Sequence, residues 1–177
     1  EEKGLSNARK KDSTGICFVG DKGYSNFIES QVPADVLKAK RGVVRLHPTG
    51  ETLAHHEGIH LFTYGQRKGL GTSYPEPLYV MKIDASDNTV WVCEDRYLFD
   101  DKMKVVRTHW LDDVENGERL RVKIRFQHKG AWAKVVKDET KHEAFIEFEE
   151  PVRAITPGQA AVMYRGEQLV GGGWIVT

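Results

Sequence analysis

Short runs in which apolar and polar residues alternate, separated by turn residues, fill the chain from Pro77 onward. A period of two is what a strand with one buried face produces. Leu78 to Ile83 and Thr89 to Cys93 predict a hairpin across Ser86, Asp87 and Asn88. Val105 to Trp110, Leu120 to Phe126, Trp132 to Val136, Phe145 to Phe148, Ala160 to Tyr164 and Leu169 to Val176 continue at the spacing of a barrel or sandwich. Before Pro77 the pattern is mixed. Tyr24, Phe27, Ile28 and Val32 stand near helical spacing, with Ser25 or Asn26 as a cap and Pro33 as the stop. Gly42 to Leu46 predicts a strand, and Pro48-Thr49-Gly50 the turn after it. The expected fold is mostly β with a small α+β segment: a small central domain at 24–76, then a C-terminal antiparallel β-barrel at 77–177.

The 177 residues suffice for one ordinary domain or two small ones, and 40% hydrophobic content is enough for a core. Lys plus Arg equals Asp plus Glu at 26 each, so no global field draws the chain to nucleic acid or to an anionic membrane. Any RNA contact must come from local patches. No apolar run approaches the roughly 20 residues of a membrane span, and no signal peptide is present. The two cysteines, Cys17 and Cys93, make neither a disulfide framework nor a paired metal site. These features point to a soluble monomer in a reducing, cytoplasmic compartment, away from membranes.

Candidate chemistry begins at residues 10–20, Lys-Lys-Asp-Ser-Thr-Gly-Ile-Cys-Phe-Val-Gly. Asp12, Ser13, Thr14 and Gly15 form a turn that leads into an apolar run centred on Cys17, with Lys10 and Lys11 as the nearby cations that lower a thiol's pKa. On residue type alone Cys17 reads first as a small buried hydrophobe. Cys93, inside a predicted strand, reads as structural.

His-Glu-Gly-Ile-His at 56–60 matches the zinc-protease pattern, but that chemistry needs both histidines on a stable helix. Gly58 lies inside the motif, and Gly50 and Gly65 confine any helix to a short piece, so no metal site is expected. Residues 63–71, Thr-Tyr-Gly-Gln-Arg-Lys-Gly-Leu-Gly, have the wrong spacing and context for a dinucleotide fingerprint. They read either as a solvated turn or as a flexible loop whose Arg67 and Lys68 track a phosphate chain. Arg125 and Phe126 offer a guanidinium and an aromatic face, and Gln159 an amide set by the Pro157-Gly158 turn. Taken alone, each is equally ordinary strand or turn chemistry.

Four separated motifs in order, KKDSTGICFVG, GQRKGLG, TPGQ followed by AVMY, and the terminal Gly171-Gly172-Gly173-Trp174, resemble the tRNA-specific 2-thiouridylases, the MnmA/TrmU family of tRNA-uridine 2-sulfurtransferases. The resemblance spans nearly the whole chain. It implies an ATP-dependent transferase that installs sulfur at C2 of the wobble uridine of tRNA. Cys17 matches the catalytic cysteine that carries the sulfur as a persulfide, supplied by a sulfur-relay protein or cysteine desulfurase. Arg125, Phe126 and Gln159 match tRNA-binding positions. The family's aromatic is often tyrosine, so Phe126 keeps the stacking face without the hydroxyl.

By the same resemblance, residues 1–23 close an N-terminal catalytic domain. That domain supplies the second thiol, which forms a disulfide with the persulfide cysteine, and the Ser-Gly-Gly-x-Asp-Ser loop that holds ATP. Neither occurs in these 177 residues, so no cofactor-binding residue is expected here and the chain alone is expected to be inactive. The alternative is a non-catalytic tRNA-binding module in which Cys17 is incidental.

Overall fold

The computed structural model describes residues 23–38, 41–138 and 140–176. Two helices come first, α1 (Gly23–Gln31) and α2 (Ala34–Lys38), divided at Pro33. Four strands then build a mixed sheet: β1 (Gly42–Leu46), β2 (Thr52–His56), β3 (Leu78–Asp84) and β4 (Thr89–Glu94). Their order is β2-β1-β4-β3, with β1 parallel to β4 and the other pairs antiparallel. The core of this unit gathers Val44, Leu46, Leu78, Val80, Val90 and Val92 from the strands, and Phe62 and Leu70 from the long β2–β3 connection.

Six longer strands follow: β5 (Phe99–Trp110), β6 (Glu118–Lys123), β7 (Ala131–Asp138), β8 (Glu143–Arg153), β9 (Ala160–Arg165) and β10 (Gln168–Ile175). They close into an antiparallel barrel in the order β10-β5-β8-β7-β6-β9. The period-two pattern sorts the side chains. Leu120 and Val122, Ala133 and Val135, Ala144, Ile146 and Phe148, and Ala161 and Met163 point inward and are buried, whereas the residues between them face outward. The inside of this barrel is therefore a packed core.

The hairpin predicted across Ser86–Asn88 forms, but it belongs to the first sheet and not to the barrel. The reason is a pairing that alternation cannot reveal: β4 lies beside β1, matching Val44 with Val90 and Leu46 with Val92. The two sheets therefore meet at the 3₁₀ turn Asp95–Leu98, some twenty residues beyond the expected boundary at 76–77. β2 was not foreseen, and β6 stops at Lys123 instead of running to Phe126.

The terminal glycines behave as close-approach positions. A Cβ on Gly172 would stand 2.6 Å from the Ala161 carbonyl oxygen, which is backbone of β9 and cannot swing away. Gly172→Ala should lower stability by about 1–3 kcal/mol, read as an earlier urea midpoint. An unchanged midpoint would show that β9 and β10 are less tightly apposed than described.

Candidate nucleic-acid interface

Strand register brings the sequence-predicted residues of the barrel to one end. β6 runs out at Lys123 opposite Val162 near the start of β9, so the turn after β6 lies beside the segment leading into β9. Arg125 and Phe126 are on the first of these and Gln159 is on the second. The start of β5 and the end of β8 share this end, through the pair Phe99↔Arg153.

Each residue has a distinct local cause for its position. Ile124 is buried and anchors the β6 side of the turn, after which the chain leaves the barrel wall. Arg125 is exposed and its Nη1 donates to the Arg153 carbonyl at 3.0 Å, which fixes the guanidinium beside the β8 terminus. Phe126 is 82% exposed, a large aromatic face with little protein against it. Gly158 takes φ +82, a conformation suited to glycine. Gln159 follows with its backbone held at both groups: its N–H donates to Thr156 O at 3.3 Å, and its carbonyl accepts from Ile175 N–H at 2.9 Å. Its side chain is exposed and, among the described residues, makes no hydrogen bond.

Among the described residues, the turn after β6 carries charge without carboxylate partners. Several cations elsewhere on the barrel are paired with carboxylates of other strands. Arg119 donates to Glu149 through two nitrogens at 2.5 and 2.9 Å while stacking on Trp132 at 4.0 Å. Arg165 reaches both Glu118 and Asp112, and its hydrogen bonds hold the Glu118 carboxyl below the usual range. Lys104 pairs with Glu143 at 2.8 Å. Among the described residues, Arg121, Lys123, Arg125 and Lys129 have no carboxylate partner. Lys123 instead lies 5.5 Å from the Tyr164 ring centroid. His128 sits among them, its pKa lowered by burial first and then by Arg125, Lys123 and Arg121. The result is a basic turn with an exposed aromatic at its tip, the combination that grips a phosphate backbone and stacks on an unpaired base. Arg121, Lys123 and Lys129 were not singled out from the sequence. Their signal was there, since residues 121–129 hold five basic residues and no acidic one.

Other candidates fall elsewhere. Cys17 lies outside the described residues. His56 ends β2 and its Nε2 meets Asn88 O at 3.0 Å, Glu57 pairs with Arg41, and His60 is in the 3₁₀ turn Ile59–Leu61, 3.5 Å from Glu29. The His-Glu-Gly-Ile-His stretch is thus split between a strand and a turn, without the helix its zinc reading required. Among the described residues no three His, Cys, Asp or Glu side chains are grouped to hold a metal.

The glycine-rich loop is held by hydrogen bonds within itself and to β3. Gly65 N–H donates to Val80 O and Val80 N–H to Gln66 O, the Gln66 amide bonds to Thr63 and Lys68, and Leu70 is buried. Arg67 and Lys68 project from an ordered loop on the small sheet. The N–H groups of Gly65 and Gln66 are used within the protein, and the next element is a strand, so the loop offers no helix N-terminus to a nucleotide's phosphates. A cleft of about 390 Å³ lies between the small sheet and this barrel end, lined in part by Tyr64, Tyr97, Phe99 and Pro157. Among the described residues, no helix is long and apolar enough to cross a membrane.

Comparison with known proteins agrees with the two-part architecture. Residues 26–94 match the model of a tRNA methyl transferase PRC-barrel domain, and residues 100–175 that of an aminomethyltransferase beta-barrel domain. The gap between the matches falls at the 3₁₀ turn joining the sheets. The chain is 42% identical over 180 residues to the tRNA-specific 2-thiouridylase MnmA of Acidobacterium capsulatum, covering 97% of this chain and 48% of that protein. It is 38% identical over 172 residues to the MnmA of Aquifex aeolicus, covering 97% and 46% respectively. The MnmA of Wolbachia pipientis from Culex pipiens is 40% identical over 174 residues, covering 98% and 46%. The chain thus spans about half the length of the curated relatives it matches.

Cys93 is fully buried in β4, and burial pushes its thiol up to about 11. In a Cys17→Ser background the native chain should therefore resist alkylation at pH 8 and label once in denaturant. Rapid native labelling would contradict the structural role of Cys93.

Proposed function

The chain belongs to the tRNA-specific 2-thiouridylase MnmA family, and on that footing we propose that its barrel end grips tRNA for sulfur transfer to C2 of the wobble uridine. The observation that carries this reading is the gathering of Arg125, Phe126 and Gln159 at one barrel end, among cations without carboxylate partners. Unpaired arginine and lysine neutralise phosphates, and Phe126 supplies a stacking face that tolerates any base. Gln159 offers a donor and an acceptor on a backbone that is already fixed.

Cys17 in this reading is the sulfur carrier, loaded as a persulfide by a relay protein or cysteine desulfurase. A persulfide is more acidic than a thiol and strongly nucleophilic, which suits attack on a carbon. A second thiol, from the N-terminal half of the enzyme, then takes Cys17 into a disulfide and leaves the sulfur on the uridine. ATP, bound by that same half, would activate the C2 oxygen by adenylation, so that the C2–O bond breaks and the oxygen leaves with AMP as sulfur takes its place. The 177 residues alone, acting as a monomer in the cytoplasm, would hold tRNA and form no 2-thiouridine.

Binding and chemistry separate by substitution. Arg125→Ala should weaken binding of a wobble-uridine tRNA transcript and make the slope of log K against log salt shallower by about 1. Phe126→Ala should cost about 1–3 kcal/mol with the salt slope unchanged. Neither effect would appear if RNA is held elsewhere. In the complete enzyme, Cys17→Ser should abolish thiolation and leave tRNA binding intact. Persistent thiolation would reduce the chain to a tRNA-holding module with an incidental cysteine.

A further inference from the structure

The turn that carries Arg125 and Phe126 is too long to define itself by turn type. The β6–β7 ladder ends at Val122↔Ala131, leaving eight residues, 123–130, between the last paired positions. Hairpin loops whose geometry is fixed by backbone alone are usually about 2–5 residues long. This one needs an internal brace, and the brace is His128.

Two hydrogen bonds converge on that residue. Its Nδ1 accepts a long hydrogen bond, 3.4 Å, from the backbone N–H of Ile124, which has passed the last β6–β7 pair. Its own backbone N–H donates to the Arg125 carbonyl at 3.1 Å. These bonds tie the end of β6 to the far side of the turn, with Arg125 and Phe126 between them. Burial and the three cations Arg121, Lys123 and Arg125 favour the neutral ring, the only form in which Nδ1 can accept.

We infer that His128 is the positioning residue of the tRNA-gripping turn: its imidazole acts as a hydrogen-bond acceptor that holds Arg125 and Phe126 in their presented geometry, and not as a further cation facing RNA. This rests on the tRNA-binding reading above and adds to it the part that organises the contact. A histidine in a basic patch would ordinarily be counted with the patch. Here the acceptor role and the cationic role exclude one another, so they make opposite predictions.

Three substitutions decide between them. His128→Asn keeps a short acceptor near the place of Nδ1, His128→Lys supplies a cation and no acceptor, and His128→Ala supplies neither. With a wobble-uridine tRNA transcript at fixed salt, Ala and Lys should each weaken binding about tenfold, the scale of losing one base stack, whereas Asn stays near wild type. In an Arg125→Ala, Phe126→Ala background, His128→Ala should have less than about a twofold further effect, because the two contacts it positions are already gone. A second measurement needs no RNA: amide exchange at Ile124 should quicken in Ala and Lys and remain slow in Asn. Binding restored by Lys, or Asn as impaired as Ala in both readouts, would overturn the inference. Failure of the wild-type chain to bind tRNA would instead sink the tRNA-binding reading, while exchange at Ile124 would still report whether His128 braces the turn.

Discussion

Arg153 is the residue on which the arrangement depends. At the end of β8, its guanidinium donates twice to Asp95 Oδ1, at 2.9 and 2.7 Å, and lies 5.0 Å from the Tyr79 ring centroid. Asp95 opens the turn between the sheets and Tyr79 is on β3, so one side chain reaches both the connector and the small sheet. Its carbonyl meanwhile accepts from Arg125. The ion pair is about one-third to one-half exposed, and such pairs contribute roughly 0–1 kcal/mol. Its importance is geometric. The same residue that registers the small sheet against the barrel also fixes the guanidinium of Arg125.

The charge balance of the chain acquires meaning only through this kind of pairing. Equal numbers of acidic and basic residues exclude a global field, yet the neutrality is unevenly distributed. Arg119 and Arg165 are neutralised in place by Glu149 and Glu118, whereas the turn after β6 keeps its charge. A neutral protein thereby carries a local basic feature with a defined shape.

Much of the architecture was legible in the sequence. Alternation located the barrel strands because each has one face in a packed core, and Pro33 correctly ended α1. Partner choice was not legible. The hairpin of β3 and β4 carries the same alternation as the barrel strands, and only its parallel neighbour β1 assigns it to the other sheet. β2 escaped because its five residues show little alternation. Burial of Ile124 carried the apparent β6 pattern past its last paired residue, and so placed Arg125 and Phe126 in a strand when they are in a turn. Of the site, the residue types at 125, 126 and 159 were readable. The neutralisation that silences other cations was not, because their partners are 30 and 47 residues away in sequence.

The way the barrel closes sets the order in which it can be made. β10 lies between β9 and β5, so the last of the described strands is the one that joins the two ends of the barrel wall. The bond from Ile175 N–H to Gln159 O belongs to that closure. As the chain emerges from a ribosome, β5 to β9 therefore remain an open sheet with unpaired edges until β10 arrives. The backbone at Gln159 is therefore fixed only once β10 has paired.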